Sequence, residues 1–572
     1  SMKPISPPSH AVRRHSSNIA ATNSASPARN CTTGENPMKV HNRPIGDFSP
    51  RVISSSGKSG RDICINPSLN PAYGMSSINA AMRTTQCSAH PICFVIMGSS
   101  LASIGRVKPR AVVVGAGPNG LTAAARLAAS GWRVEVLERS GEIGGAASTQ
   151  KLYDATLVDL GAACHPFGAA SPAFRALRLE DYGVRWLRAP YEMAHPLDDG
   201  AAVLAGTLED TAAGLGVDGK AWERLHRPVV EHVDDLLEDV LAPMPRVPRH
   251  PFALARFGAR GLWPATALGR AAFRTEKARA LFAGSATHAI TSPARPFTGA
   301  FGLLFGALGM TRGWPVASGG SGAVTAALAK VVEEHGGQVR RGEEVRALPE
   351  ADAVILNLTP KQVLPLDGTS LPARRTRSMR RWRYGPGVHK VDFLLDAPVP
   401  WADPRVGKAA TVHVGGTAEE IVRAERDVAK GIMPERPFVM AAQQYAADPS
   451  RGLVLWTYAH VPHGYRERHP GEVAQKITKQ IERFAPGFRG VVREKIETPP
   501  RELEAWNPNL VGGDIAGGAM DGTQLLMRQP HRLRKGLYLA SSSTAPGAGV
   551  HGMPGWWAAE AALRDFGATP RR

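Results

Sequence analysis

The sequence predicts an α/β fold, in which a Rossmann-type domain assembled from discontinuous segments is threaded by an inserted α+β domain built on a mixed sheet. Three observations predict it. At 572 residues the chain exceeds what one hydrophobic core usually organises. A strand, a glycine turn, a helix and a second strand follow one another from residue 110. Similar alternation returns near 320–356 and at the C-terminal end, while the stretches between have a different character. The predicted boundaries are 107–190, 316–375 and 500–572 for the first domain, and 191–315 and 376–499 for the second.

Residues 1–106 are rich in Ser, Asn, Pro and Arg, poor in acidic residues and without a sustained apolar period, so disorder is expected there. Ser1-Met2 reads as a tag-cleavage remnant and Met97 as an alternative start, and a transit peptide is the other reading of this leader. Ala111-Val112-Val113-Val114 reads as a buried strand, 121–130 as an Ala-rich helix ended by Gly131, and 133–138 as an alternating strand. Between 191 and 315 the pattern is helical and loop-rich. Then follow a helix at 322–335 and strands at 338–341 and 353–356. Strand-like runs at 389–395, 437–443 and 453–458 and an amphipathic helix at 472–484 predict the mixed sheet. A strand at 536–540, a Gly-rich turn and a helix at 553–565 close the pattern.

Composition narrows the function. Hydrophobic residues make up 43% and charged ones 21%, and no window approaches the roughly 20 apolar residues of a membrane span. The formal charge of +19 is dispersed among acidic residues rather than gathered into a basic stripe with aromatics, which argues against nucleic acid as a partner. Cys31, Cys64, Cys87 and Cys93 lie in the leader and Cys164 alone in the body, with no zinc spacing or disulfide framework. A reducing, cytoplasmic setting is expected, with no metal and with Cys164 as a packed thiol.

The chemistry starts at Gly115-Ala116-Gly117-Pro118-Asn119-Gly120. Gly115 permits the tight turn, Gly117 admits a pyrophosphate to the backbone, and Gly120 lets helix and strand approach, so the phosphates meet the positive end of the helix dipole. Eighteen residues past Gly120, Glu138 ends the second strand, followed by Arg139, where a carboxylate takes the ribose hydroxyls of an adenosine. Gly144-Gly145-Ala146 follows, a loop able to bring further amides to the pyrophosphate. Near the C-terminal end, Ser541-Ser542-Ser543 leads through Gly547, Gly549, Val550, His551 and Gly552 into the last helix, and this second helix N-terminus suits the electron-rich edge of a flavin. Together these elements predict FAD rather than NAD.

These motifs, with Gly319-Gly320-Ser321-Gly322, resemble the amine-oxidase-like FAD superfamily, especially its bacterial phytoene-desaturase-like and carotenoid-isomerase-like branch. Asn507-Pro508-Asn509, Gly512-Gly513-Asp514-Ile515 and His165-Pro166-Phe167-Gly168 resemble the subgroup of pyridine nucleotide-disulphide oxidoreductase domain-containing protein 2. The resemblance implies non-covalent FAD, and it implies that Val345 meets the adenine. The stretch 344–353 is short where relatives carry a hairpin, and Trp556-Trp557 are bulkier than the residues usual at that helix start.

The expected reaction is hydride transfer to the flavin from a largely apolar small molecule, with oxygen, a quinone or another carrier as electron acceptor. Amine oxidation, redox-neutral polyene isomerisation and a flavin-free escort protein of the GDP-dissociation-inhibitor type are the alternatives. His551 and His165 are the candidate acid–base residues, and Trp556 and Trp557 the candidate substrate walls. The run 246–279 mixes Arg with Phe, Leu and Trp and is a candidate peripheral membrane contact.

Overall fold

The computed structural model of the chain describes residues 108–567, apart from 154, 155 and 244. The leader, with both readings of it, lies outside the described residues. Arg110–Val114, Arg133–Glu138, Gln338–Arg341, Ala353–Leu356, Arg532–Arg534 and Leu537–Leu539 form a six-stranded sheet. Ala353–Leu356 and Arg133–Glu138 flank the central Arg110–Val114, and all contacts are parallel except that of the edge strand Arg532–Arg534. The unbroken apolar run from Ala111 is buried throughout, as a strand covered on both faces requires.

Helix Pro118–Ala129 starts on a proline whose missing N–H costs nothing at that position. Its Ala123, Ala124 and Ala125 are fully buried, and the helix packs against Gly322–Glu334 and Met553–Asp565. Gly555 makes the last contact close: a Cβ there would lie 1.7 Å from the Asn119 carbonyl oxygen.

A second, seven-stranded sheet runs in the order Val492–Thr498, Gly387–Leu395, Val454–Val461, Val439–Ala442, Ala409–Val414, Tyr191–Leu197, Gly200–Leu204. It is mixed, because Ala409–Val414 pairs in parallel with Tyr191–Leu197 and every other contact is antiparallel. One face packs Val391, Phe393 and Leu455 against Val473, Ile477 and Ile481 of helix Glu472–Phe484. The period of two then turns Val388, Lys390, Trp456 and Tyr458 to the opposite face, which lines a cavity.

One expectation needs correction. The stretch after 191 opens with the hairpin Tyr191–Leu197 and Gly200–Leu204, and only afterwards becomes helical. Glu192, His195 and Pro196 hide the strand pattern. Glu192 is nevertheless buried, held by Arg188 and by the Trp314 N–H, and the parallel ladder ends at Ala194, before Pro196 would withhold a donor. The basic run 246–279 becomes the helices Pro251–Gly261 and Ala265–Ala272 and the start of Glu276–Thr287. Among the described residues no helix is long and apolar enough to cross a membrane.

Candidate functional site

The two glycine loops meet at the carboxyl end of the first sheet. Gly115 has φ +96°, and a Cβ on Gly120 would come within 2.0 Å of the Gly115 carbonyl oxygen, so only glycine allows this turn to close. The Gly144 N–H donates to the Ala116 carbonyl at 3.0 Å, and a Cβ on Gly145 would lie 3.1 Å from the Gly117 Cα. The helix that follows has Gly117 as N-cap with no side chain taking its first N–H groups. Uncapped donors and the dipole make this end a seat for an anion. Asn119 Oδ1 and Ser148 Oγ, both beside the turn, are buried without a partner among the described residues, which fits a polar group bound there.

Glu138 lines the same cavity, accepting the Ala116 N–H at 2.7 Å and the Ser140 N–H at 2.9 Å. Each carboxylate oxygen keeps a lone pair for a ribose hydroxyl. Arg139, Ala146 and Val345 also line it, and Val345 packs beside the Val114 and Leu356 cluster. Asn357 and Asn509 brace the turn: Asn357 Nδ2 donates to the Gly115 carbonyl at 3.3 Å, and Asn509 Nδ2 to the Asn357 carbonyl at 3.0 Å. Asn357, on the loop after Ala353–Leu356, is a residue that sequence reasoning missed.

The C-terminal turn supplies the second wall. Ser542, Gly549, Val550 and His551 line the cavity, and helix Met553–Asp565 begins on Gly552 with its first N–H taken by His551. Arg528 backs this turn, donating to the Ser542 carbonyl at 2.5 Å, and burial pushes its guanidinium down to about 10. Buried Asp514, pushed up by desolvation, accepts the Gly385 and Ala516 N–H groups.

His551 is buried, its Nδ1 accepts the Met553 N–H at 3.1 Å, and burial pushes it down to about 4. It is a neutral imidazole engaged in holding the helix start. His165 lies on the cavity wall with Nε2 at 2.8 Å from Ser321 Oγ, and burial pushes it too down to about 4. Its Nδ1 has no partner among the described residues. Cys164 accepts a hydrogen bond from Thr411 Oγ1 at 3.1 Å, and burial raises it to about 12, leaving a thiol.

Gly120, Gly144 and Gly552 shape the loops but do not line the cavity. Trp556 and Trp557 do not line it either, which corrects their expected role. Trp556 lies under the Arg126 guanidinium at 4.9 Å, while Trp557 donates Nε1–H to the Leu241 carbonyl at 2.8 Å and so stands behind the wall. Gly555, Ala558 and Ala559 of the same helix are buried in the core rather than on the cavity.

The cavity encloses about 1730 Å³, beyond the roughly 300–1,000 Å³ of an ordinary ligand pocket. It runs from the dinucleotide cradle into a chamber walled by Leu254, Phe257, Phe301, Leu304 and Phe305. Over this chamber the second sheet places Lys390, paired with Asp392, and Trp456, whose Nε1–H is buried without a partner among the described residues. The strand-like reading of 389–395 had not singled out Lys390.

With cradle and chamber described, comparison with known proteins defines the class. Residues 113–179 match the family model of an NAD(P)-binding Rossmann-like domain. A solved oxidoreductase from Methanosarcina mazei superposes with TM-score 0.53 at 17% identity, covering 80% of this chain and all of that one. Putrescine oxidase bound to putrescine does so with TM-score 0.51 at 18% identity, covering 81% of this chain and all of that one. The fold is thus one that the Methanosarcina mazei oxidoreductase and putrescine oxidase also have. In sequence the chain is similar to mouse pyridine nucleotide-disulfide oxidoreductase domain-containing protein 2, 28% identical across 81% of this chain and 95% of that protein. It is likewise similar to hydroxyneurosporene desaturase of Cereibacter sphaeroides, 26% identical across 82% of this chain and all of that protein.

Proposed function

We propose that the chain is an FAD-dependent dehydrogenase or oxidase that holds its flavin non-covalently and acts on a largely apolar small molecule. The observation that carries this reading is the continuity of the dinucleotide cradle with the apolar chamber. When bound, FAD supplies a hydride acceptor. The chain's own residues do the rest. The uncapped N-terminus of Pro118–Ala129 holds the pyrophosphate, and Glu138 holds the ribose. The protonated Cys164, hydrogen-bonded to Thr411, offers no thiolate for a covalent link.

In the chamber, Leu254, Phe257, Phe301, Leu304 and Phe305 hold the substrate and exclude water, which gives orientation rather than acid–base help the main share of catalysis. Asp239, the carboxylate at that end, is turned into the backbone N–H groups of Arg249 and His250 and is not available to hold a cationic amine. Asp392 is likewise engaged, by Lys390. An apolar substrate suits these walls better than an amine does.

The test is to purify the protein and record its visible spectrum before and after denaturation. Flavin absorption, with FAD released on unfolding, is expected. A colourless protein that takes up no FAD overturns the reading. Anaerobic bleaching by an apolar candidate substrate then identifies dehydrogenation, whereas turnover by pre-reduced enzyme alone identifies isomerisation.

A further inference from the structure

Four large apolar side chains stand exposed within residues 247–263: Val247 and Phe252 at 89%, Leu262 at 54% and Trp263 at 49%. They are ordered, not scattered. At 100° per residue Phe252, Arg256 and, just past its end, Trp263 fall on one side of helix Pro251–Gly261, Leu254, Phe257 and Gly261 fall on the other, and Leu262 follows at the boundary. The inner side walls the apolar chamber through Leu254 and Phe257, so this helix separates the chamber from solvent with apolar groups on both faces.

A second lip lies close by. Leu526 and Met527 are 47% and 71% exposed, and Leu525 and Leu526 also line the chamber. Gly522 at the start of that short helix packs toward the Phe297 ring, and the Phe297 N–H donates to the Leu262 carbonyl at 3.0 Å. The charge of this face is positive and uncompensated. Among the described residues Arg256, Arg260, Arg270 and Arg274 form no ion pair, while Arg246 and Arg249 pair with Asp239 and Glu238.

We propose that this face docks on an anionic lipid bilayer, with Phe252, Leu262, Trp263, Leu526 and Met527 inserted at the headgroup boundary and the free arginines on lipid phosphates, so that the chamber opens onto lipid. Apolar side chains rimmed by guanidinium groups are the chemistry of an interfacial helix. The position at the chamber wall gives an apolar substrate a route that avoids water. The proposal rests on the chamber being an apolar-substrate site.

The experiment is co-sedimentation of the full chain with vesicles of phosphatidylcholine, with and without phosphatidylglycerol, recording flavin absorption on the same sample. The protein should pellet with the anionic vesicles and release as salt rises. F252S/W263S should weaken binding by at least ten-fold, and R256Q and R260Q by about five-fold each at low salt. These positions are on the surface, so unchanged thermal transitions should accompany the losses. Absence of binding to anionic vesicles, or binding that the variants leave intact, overturns the proposal. So does a dimer in solution that F252S/W263S dissociates, because a second copy would then cover the face. Flavin-loaded protein that ignores vesicles overturns the docking alone; colourless protein that binds them overturns the flavin reading alone.

Discussion

Gly120→Ala is the sharpest perturbation of the cradle. The added Cβ would sit 2.0 Å from the Gly115 carbonyl oxygen and 3.1 Å from both Cβ and Nδ2 of Asn357. Backbone cannot swing aside like the end of a long side chain, so helix Pro118–Ala129 must retreat from the strand by about 1.4 Å to regain ordinary contact. Overpacking of this kind costs about 1–3 kcal/mol of stability. The larger effect falls on FAD, because the same retreat draws the first N–H groups of the helix away from the pyrophosphate. Losing two hydrogen bonds to a charged group, at about 1.5 kcal/mol each, weakens affinity by about 3 kcal/mol, or roughly 150-fold. Titration of flavin-stripped protein with FAD, followed by fluorescence, measures this. Gly214→Ala is the control: it lies at the end of helix Leu208–Gly214 with nothing within 4 Å of the added atom, and should leave affinity unchanged. A Gly120→Ala protein that folds and binds FAD as tightly as the parent would falsify the assignment of this turn to the pyrophosphate.

Three further outcomes are expected. Glu138→Ala removes the acceptor of the Ala116 and Ser140 N–H groups and the ribose partner, and should weaken FAD binding by at least ten-fold in the same titration; an unchanged Kd would show that Glu138 only braces the turn. Asp392→Asn strips Lys390 of its buried partner and should cost about 3–5 kcal/mol in urea unfolding, and a loss under 1 kcal/mol would mean that water reaches Lys390. Burial holds His165, His195, His226, His531 and His551 near 4, below the ordinary 6.5. The unfolded chain therefore binds more protons between those values. Stability is full above about 6.5 and falls as pH drops toward 4, by up to about 1.4 kcal/mol per pH unit for each histidine; a flat profile from pH 7 to 4.5 would contradict their burial.

Legibility in the sequence followed the range of the interaction. The Gly115 turn, the strand Arg133–Glu138 and the helix Glu472–Phe484 were readable because each depends on neighbours in the chain and on a period of two or 3.6. Asn357, Arg528 and Lys390 were not, since each enters the site through the tertiary fold: Asn357 by its hydrogen bond to Gly115, Arg528 by its hydrogen bond to Ser542, and Lys390 by the strand that carries it to the cavity wall. The Tyr191–Leu197 strand was missed because its polar residues satisfy tertiary partners that no local pattern displays. His551 drew attention by standing in the flavin-side turn, yet the Met553 N–H already occupies its Nδ1. Trp556 and Trp557 were misplaced because no residue of helix Met553–Asp565 lines the cavity.

Charge placement around the chamber bears on the substrate more than any one side chain does. Lys390 is matched by Asp392, Asp239 by backbone N–H groups and Arg246, and Asp514 by backbone N–H groups with Arg528 nearby. These three charged groups are thus each partnered within the protein. A cationic substrate would surrender its hydration there and find Asp239, Asp392 and Asp514 already engaged, at a cost of several kcal/mol. A neutral, apolar molecule loses nothing on that account and gains about 25 cal/mol for each Å² it buries. The Trp456 Nε1–H, a donor without a partner among the described residues, would then favour a substrate carrying one uncharged oxygen acceptor on an otherwise hydrocarbon frame.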